Sequence, residues 1–226
     1  MNVDAVIVAA GGSTRFGERD KLLADLCGAP VIAWSLAAFE AAEAVERIVL
    51  VVAAGRRDEL TEVAQTWAPG KLAAVVEGGA RRRDSVEAGL RACVNRYVAI
   101  HDGARPLVTA PMIARCIEAA TGKPGAIAAI PVVDTIKEAD GGLVTGHPDR
   151  SRLWAAQTPQ VVLRQAWLDA AAAGDDDETD DAAMLARFGL EVAIAEGDPS
   201  NIKITRPLDL ELAATILRAR GVTACA

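Results

Sequence analysis

The apolar residues of this chain form short runs that alternate with longer, alanine- and leucine-rich stretches. Several short runs are apolar almost throughout, which is typical of strands that helices cover on both faces. The predicted strands are 5–9, 47–52, 73–76, 97–101, 126–133, 192–195 and 201–204. The predicted helices are 30–42, 57–67, 84–93, 111–120, 162–173, 180–188 and 207–219. This alternation predicts a mostly parallel α/β sheet with ligands at the carboxyl ends of its strands.

Residues 135–147 interrupt the alternation. A turn signal, Asp140-Gly-Gly, lies there between two short alternating stretches and predicts a β-hairpin. An isolated two-stranded ribbon is marginally stable in water, so we expect it to pack against a second copy of the chain. The acidic run 175–181 is interpreted as a solvated loop, with Thr179 as the N-cap of the next helix.

Size and charge narrow the possible functions. A chain of 226 residues is long enough to bury a substantial core, and we expect a single domain over residues 1–226. The formal net charge of −7 disfavours a nucleic-acid-binding protein, because a phosphate backbone demands a basic face. An anionic substrate must therefore be held by a local cluster of cations.

Cysteine and histidine usage gives no sign of a metal centre. The two histidines, His101 and His147, are too isolated for a zinc site. The four cysteines have neither metal-ligand nor redox spacing, as expected of small buried residues in a reducing compartment. They are Cys27, Cys93, Cys116 and Cys225. With no run of membrane-spanning length and no signal peptide, the sequence predicts a cytoplasmic protein.

The first candidate site follows the first predicted strand. The small-residue loop Ala9-Ala-Gly-Gly12 lets backbone N–H groups approach a base or a phosphate, and Arg15 and Lys21 supply positive charge beyond it. The loop matches neither the dinucleotide fingerprint nor the P-loop pattern, which disfavours a dehydrogenase or a P-loop kinase. It predicts a nucleotide site, and the alternative is a tight turn followed by surface charges.

A second cluster, Glu77-Gly-Gly-Ala-Arg-Arg-Arg-Asp-Ser-Val86, joins a strand to a helix whose predicted cap is Asp84. The N–H groups of the helix start, together with Ser85, could bind a base edge or an anion. The alternative is a capped helix with solvated arginines.

Two more clusters carry charge at strand ends. In His101-Asp-Gly-Ala-Arg-Pro106, the carboxylate of Asp102 is suited to Mg²⁺ between phosphates, or else it caps the turn and pairs with Arg105. In Asn201-Ile-Lys-Ile-Thr-Arg-Pro207, Lys203 faces either an anion or, on an edge strand, solvent.

In this order, the motifs resemble those of the 2-C-methyl-D-erythritol 4-phosphate cytidylyltransferase family of the non-mevalonate isoprenoid pathway. The most specific elements are His101-Asp-Gly-Ala-Arg-Pro106, Gln157-Thr-Pro-Gln160, Asn201-Ile-Lys-Ile-Thr-Arg-Pro207 and Asp134-Thr-Ile-Lys137. The resemblance implies one Rossmann-like, GT-A-like nucleotidyltransferase domain with a protruding β-hairpin arm at about residues 134–154. It implies transfer of the cytidylyl group of CTP to methylerythritol phosphate with release of pyrophosphate, in a homodimer formed through the arm.

The resemblance also implies roles for individual residues. The catalytic cations would be Arg15, Lys21 and Lys203. The nucleotide would be bound by Ala9, Ala10, Gly11, Gly12, Gly78, Gly79, Ser85 and Asp102, with Asp102 also positioning Mg²⁺ or another divalent cation. The acceptor would be bound by Arg105, Thr135, Arg150, Thr158 and Thr179, of which Thr135 and Arg150 would serve the neighbouring subunit's site.

Three residues depart from those frequent in the family, namely Val8, Ser13 and Ala80, and they bear on how strictly CTP is preferred. Other readings stay open from the sequence alone: a ribitol 5-phosphate cytidylyltransferase, a sugar-1-phosphate nucleotidyltransferase, or a non-catalytic nucleotide sensor of the same fold.

Overall fold

The computed structural model describes residues 1–11, 20–174, 178 and 180–221, and within these ranges seven strands form one central sheet. The strands are β1 (Val3–Ala9), β2 (Asp25–Leu26), β3 (Ala29–Pro30), β4 (Val45–Val52), β5 (Leu72–Glu77), β6 (Tyr97–Asp102), β7 (Gly125–Pro131), β8 (Glu138–Asp140), β9 (Leu143–Gly146), β10 (Trp154–Leu163) and β11 (Ala193–Glu196). The helices are α1 (Val31–Ala41), α2 (Arg57–Trp67), α3 (Arg82–Ala92), α4 (Ala110–Ala119), α5 (Arg164–Ala172), α6 (Asp181–Ala186) and α7 (Pro207–Ala219). None of the helices in the described ranges has the length and apolar character needed to cross a bilayer.

The central sheet has the order β11–β7–β10–β6–β1–β4–β5. Its neighbouring strands are parallel except at β10, which runs antiparallel to both β6 and β7. The predicted mostly parallel α/β sheet is therefore confirmed. In chain order, β4 pairs with one side of β1 and β5 pairs with β4. The next strand, β6, pairs with the other side of β1. Ligands of α/β sheets bind at such a reversal of strand order.

Helices cover both faces of the sheet, which explains why the central strands are continuously apolar. Successive side chains of a strand point to opposite faces. Ile7 of β1 belongs to one core cluster with Phe39 of α1 and Leu60 of α2. Its neighbour Val6 belongs to a second cluster with Leu90 of α3 and Trp167 of α5. The two cores fix β1, and hence the loop that follows it.

The predicted hairpin is present as a separate two-stranded sheet of β8 and β9. Its turn consists of Gly141 and Gly142, with φ of +55° and +82°. Positive φ at both positions suits a tight hairpin turn, and glycine adopts it without a steric penalty. Leu143 and Val144 on β9 are 74% and 57% exposed, so the hairpin presents apolar side chains to solvent in the single chain.

One strand predicted from the sequence was wrong, and one strand of the central sheet was missed. Segment 201–204 forms no strand with any described part of the chain, because its backbone bonds to a loop: the N–H of Ile204 donates to the carbonyl of Ala104 at 2.8 Å. Conversely, β10 was not predicted. Its middle, Gln157-Thr-Pro-Gln160, is polar and contains proline, which hides the strand pattern.

The caps of two helices also differ from prediction. Helix α3 has Arg81 as its N-cap, and Asp84 lies at the third helical position, where its carboxylate accepts the backbone N–H of Arg81 at 3.1 Å. Asp84 was predicted as the cap itself because acidic residues are favoured at both positions. Helix α6 is capped by Asp180, whose carboxylate accepts the N–H of Ala183 at 2.9 Å. The predicted cap, Thr179, lies outside the described residues.

Candidate active site

A cavity of about 250 Å³ lies at the carboxyl ends of β1 and β6, next to the loop that follows β5. We call it the first cavity. Among its lining residues are eight of the predicted site residues: Ala9, Ala10, Gly11, Lys21, Gly79, Ser85, Asp102 and Lys203. They come from four separate parts of the sequence, and the fold brings them together as the motif order predicted. Gly12 and Arg15 lie outside the described residues.

Gly78 explains how the loops after β1 and β5 come so close. A Cβ atom at Gly78 would lie 2.6 Å from the Cβ of Ala10 and 2.5 Å from Oγ of Ser85. Neither distance is sterically tolerable, so a side chain at this position would push the two loops apart. The predicted role of Gly78 in the site therefore has a steric basis, although it does not itself line the cavity.

Asp102, the last residue of β6, is the electrostatic centre of the site. Of the described side chains, three cations surround its carboxylate: Lys203 Nζ at 2.7 Å, Arg82 Nε at 3.5 Å and Arg105 Nε at 4.0 Å. Burial by itself would raise the pKa of this carboxyl, but the charges of Lys203 and Arg82 outweigh burial and hold the pKa well below its ordinary value. Asp102 is therefore ionised at neutral pH.

Arg82 is a site residue that the sequence interpretation did not single out. Its Nη2 donates to Oδ2 of Asp181 at 2.8 Å, and the Trp167 indole N–H donates to the other carboxylate oxygen of Asp181 at 3.1 Å. Asp181 is 1% exposed. Burial lowers the pKa of Arg82, but the charges of Asp181 and Asp102 outweigh that effect and raise it. Its position at the start of a helix after a strand was the available signal.

A second cavity, also of about 250 Å³, shares part of its lining with the first. It is lined by Arg82, Asp102, Arg105, Ala156, Gln157, Thr158, Gln160, Asp180 and Lys203. Arg82, Asp102 and Lys203 line both cavities, so the two cavities adjoin at this charged cluster, which we call the wall. The predicted acceptor-binding residues Arg105 and Thr158 both line the second one.

His101 is fully buried beneath the site and hydrogen-bonded through both ring nitrogens. Nε2 lies 3.2 Å from the carbonyl of Arg105, and Nδ1 lies 3.0 Å from the hydroxyl of Thr158. The same hydroxyl accepts the backbone N–H of Asp102 at 3.1 Å. Burial, helped by the charge of Arg105, lowers the pKa of His101 to about 4 against the opposing charge of Asp102. The ring is therefore neutral at physiological pH.

Two predicted acceptor-binding residues line neither of these cavities. Thr135 and Arg150 are exposed on the segment that carries the hairpin, and neither lines a cavity described above. The Arg150 guanidinium donates to the carbonyl of Val133 at 3.0 Å. That they serve a neighbouring subunit's site stays a prediction. Thr179 lies outside the described residues.

The site offers few ligands for a metal ion. Within the described ranges, no three His, Cys, Asp or Glu side chains are grouped closely enough to hold one. The ionised carboxylate of Asp102 is a hard oxygen donor of the kind that Mg²⁺ prefers, and Mg²⁺ in phosphate-transferring sites takes most of its remaining ligands from phosphates and water. The residues present therefore fit a cation that arrives with a nucleotide.

The fold and the site together define an α/β nucleotidyltransferase. Residues 3–219 match the family described as 2-C-methyl-D-erythritol 4-phosphate cytidylyltransferase. A protein of that name from Prochlorococcus marinus (strain MIT 9313) is 44% identical over 224 residues, which cover 96% of this chain and 98% of that protein. The chain belongs to this cytidylyltransferase family.

Solved structures agree with this assignment. A 4-diphosphocytidyl-2C-methyl-D-erythritol synthase from Anaerococcus prevotii DSM 20548 superposes with a TM-score of 0.85 at 26% identity, covering 96% of this chain and 98% of its own. The 2-C-methyl-D-erythritol 4-phosphate cytidylyltransferase from Thermus thermophilus gives 0.78 at 31% identity, covering 96% and 100%.

Proposed function

We propose that this enzyme joins CTP and 2-C-methyl-D-erythritol 4-phosphate to give 4-diphosphocytidyl-2-C-methyl-D-erythritol and pyrophosphate. The observation that carries the proposal is the wall of Arg82, Asp102 and Lys203 between the two cavities. A reaction between two phosphorylated substrates needs two anion-binding compartments that meet at a cluster of cations, and family membership supplies the identity of the substrates.

We assign CTP to the first cavity. The glycine- and alanine-rich backbone of Ala9–Gly11 and of Gly79 suits close contact with the base and phosphates. Lys21 lines the same cavity, and with Lys203 and Arg15 it forms the proposed set of cations for the triphosphate. Arg15 joins this set, and Gly12 joins the nucleotide-binding backbone, by resemblance, since both lie outside the described residues.

We assign the acceptor phosphate to the second cavity, where Arg105 and Lys203 provide positive charge. The guanidinium of Arg105 is held in place by a 2.7 Å bond from Nη1 to the carbonyl of Asn201. Thr179 joins this set by resemblance. Because Lys203 reaches both cavities, it can contact the two reacting groups at once.

The chemistry needs charge compensation more than proton transfer. A phosphate oxygen of the acceptor attacks the α-phosphorus of CTP, forming one P–O bond while the bond to the bridging oxygen of the β-phosphate breaks and pyrophosphate leaves. The attacking phosphate is already anionic at neutral pH, so no general base is required. The obstacle is repulsion between two polyanions, which Lys21, Arg15 and Lys203 offset where charge develops.

We propose Mg²⁺, or another divalent cation, as the cofactor. Asp102 would hold it together with phosphate oxygens of CTP, and the ion would neutralise charge on the triphosphate. In the ligand-free chain Lys203 Nζ lies 2.7 Å from Oδ2 of Asp102. Binding of the triphosphate gives Lys203 a new anionic partner, which makes Asp102 available to the cation.

We propose that the chain is one domain over residues 1–226 and that two copies associate through the arm at about 134–154. The exposed apolar side chains of Val133 and Leu143, at 81% and 74%, are suited to burial in such an interface. In this arrangement Thr135 and Arg150 reach the partner's second cavity. The cytoplasmic location predicted from the sequence remains a prediction.

The reaction is tested with purified protein, CTP and Mg²⁺ against a panel of methylerythritol phosphate, ribitol 5-phosphate and several sugar 1-phosphates. Pyrophosphate release is measured, and ³¹P NMR identifies the diphosphate product. We expect turnover with methylerythritol phosphate. Preference for ribitol 5-phosphate would reassign the acceptor, and CTP binding without pyrophosphate release from any acceptor would indicate a nucleotide sensor.

A further inference from the structure

Lys21 is presented to the first cavity by a short turn that begins at Asp20. The Asp20 carbonyl accepts the backbone N–H of Leu23 at 3.3 Å, and Oδ1 of its side chain accepts the N–H of Leu22 at 2.7 Å. A carboxylate that accepts a backbone N–H two residues on stabilises such a turn. Leu22 is 3% exposed, and its carbonyl accepts the N–H of Ile32 at 3.1 Å. The backbone is therefore anchored on both sides of the lysine.

The carboxylate of Asp20 also contacts a distant part of the chain. Its Oδ2 accepts a hydrogen bond from Nη1 of Arg56, which lies 36 positions further on and is the N-cap of α2. The backbone N–H of Arg56 donates to the carbonyl of Ala53 at 3.1 Å, and its carbonyl accepts the N–H of Leu60 at 3.2 Å. Leu60 is 1% exposed and packs in the core that α2 shares with β1. Arg56 thus ties the turn to a helix that is fixed in the core.

Arg56 acts at a distance from the substrate, because it lines neither cavity. Its Nε donates to Oε2 of Glu59 at 3.0 Å, so its guanidinium is bonded to two carboxylates. The side chains of Arg56 and Asp20 are 29% and 22% exposed. Salt and water screen a partly buried ion pair less than a fully exposed one. The pair is therefore suited to hold the Asp20 carboxylate in one orientation.

The sign of the charge on Asp20 gives the pair a second purpose. A carboxylate beside Lys21 repels a triphosphate and reduces the positive potential that the lysine provides. The guanidinium of Arg56 offsets that negative charge. An acidic side chain can then stabilise the turn without weakening the attraction of the first cavity for an anion.

We propose that Arg56 and Asp20 are positioning residues for Lys21. Arg56 holds the Asp20 carboxylate, and Asp20 fixes the turn that presents the lysine to the triphosphate. Arg56 lies outside every motif on which the family resemblance depends. The proposal rests on the proposed function, in which Lys21 binds the triphosphate of CTP.

The first test uses the full chain without any substrate. Hydrogen exchange followed by NMR reports how firmly the Leu22 amide is bonded to Asp20. In Arg56→Ala we expect this amide to exchange about threefold to tenfold faster than in wild type, because its acceptor is no longer held. An unchanged exchange rate would overturn the proposal. The result stands even if the enzyme proves to use another acceptor or turns over none.

The second test asks whether Arg56 acts through Lys21. Arg56→Ala should lower kcat/KM for CTP about 10- to 100-fold and leave KM for the acceptor within about twofold of wild type. Arg56→Lys keeps the charge and should recover most of the loss. In the Lys21→Ala background, Arg56→Ala should change kcat/KM by less than about twofold, since the group that it positions is gone. An equal loss in both backgrounds would indicate a general structural role and overturn the proposal.

Arg57→Ala is the matched control, because it removes the same charge from the next residue, which is exposed. It should leave both the Leu22 exchange rate and the CTP kinetics unchanged. Glu59→Gln removes the other carboxylate partner of Arg56 and should stay close to wild type. A loss as large as that of Arg56→Ala would assign the role to the Arg56–Glu59 pair and overturn the proposal. If Arg56→Ala does not fold, Arg56→Gln is measured with the same criteria.

Discussion

Lys203 Nζ lies 2.7 Å from the carboxylate of Asp102, although the two residues are 101 positions apart in the chain. Lys203 comes from an irregular segment after β11, and Asp102 ends β6 on the other side of β10. The side chain of Lys203 is 40% exposed and that of Asp102 is 13% exposed. The lysine is therefore the movable partner of the pair, while the carboxylate is fixed.

The first prediction concerns Lys203. Lys203→Ala removes a cation that reaches both cavities, so we expect turnover to fall roughly 10²–10³-fold, as for other preorganised electrostatic donors. Steady-state kinetics with both substrates varied measures this. Lys123→Ala, which changes an exposed lysine away from the cavities, is the control and should behave as wild type. A rate within a fewfold of wild type would remove Lys203 from the catalytic set.

The second prediction concerns the triphosphate cations. Lys21→Ala and Arg15→Ala should fold normally and yet lose roughly 10²–10³-fold in turnover, because each removes positive charge from the departing pyrophosphate. Circular dichroism and thermal unfolding test folding, and pyrophosphate release tests activity. Lys21→Arg keeps the charge and should lose less than Lys21→Ala. Equal losses for both Lys21 variants would mean that charge alone is not what the site requires.

The third prediction concerns the stability of the wall. Asp181 accepts hydrogen bonds from Arg82 and Trp167 while almost fully buried. Asp181→Ala leaves both donors without their acceptor, so the free energy of unfolding should fall by about 3 kcal/mol. Urea unfolding followed by Trp fluorescence measures it. Asp58→Asn, at an exposed position in the first turn of α2, should cost less than about 1 kcal/mol.

The fourth prediction is a pH dependence of stability caused by His101. Its pKa is about 4 in the folded chain against an ordinary value of 6.5. The folded state therefore binds a proton on the His101 ring less readily than the unfolded state does. The resulting contribution to the free energy of unfolding is fully present above pH 6.5 and is lost as the pH falls from 6.5 toward 4. It amounts to about 3 kcal/mol.

Urea unfolding between pH 4.5 and 7.5 measures this slope, and His101→Asn should flatten it. The pKa of Asp102 is also lowered, from an ordinary value of 3.8, so its stabilisation is present above that value and lost below it. The two groups thus act in separate pH windows. An unchanged slope in His101→Asn would assign the dependence to other groups.

The fifth prediction tests whether the arm serves the neighbouring site. If the acceptor is bound by Lys203 of one subunit and Arg150 of the other, Lys203→Ala and Arg150→Ala are each inactive as pure dimers. A mixed dimer has one complete site, so random exchange should restore roughly a quarter of wild-type activity. Subunit exchange is monitored by native mass spectrometry. Mixed dimers without activity would place both residues in the same subunit's site.

The fold could be predicted largely from the sequence, because continuous apolar runs such as β1 and β4 mark strands buried on both faces. Strand β10 escaped prediction since its centre, Gln157–Gln160, bonds to three other segments instead of following a strand pattern. Segment 201–204 misled for the opposite reason: it alternates like a strand but hydrogen-bonds to a loop. Local pattern does not reveal bonding partners that are distant in sequence.

Lys21, Asp102 and Lys203 of the first cavity were predicted from motifs, but Arg81 and Arg82, which also line it, were not. Among three consecutive arginines, only tertiary structure shows which one meets Asp102 and Asp181. Arg81 instead pairs with Asp84, and Arg83 is turned into the protein, where its guanidinium donates to a backbone carbonyl of α5. The residue types can be read from the sequence, whereas the direction of each side chain comes from the helix that carries them.

Because the same three side chains border both cavities, we expect ligands bound in the two cavities to be thermodynamically linked. Whichever polyanion arrives first changes the electrostatic potential that the other meets, and the size of this coupling must be the same in both orders of addition.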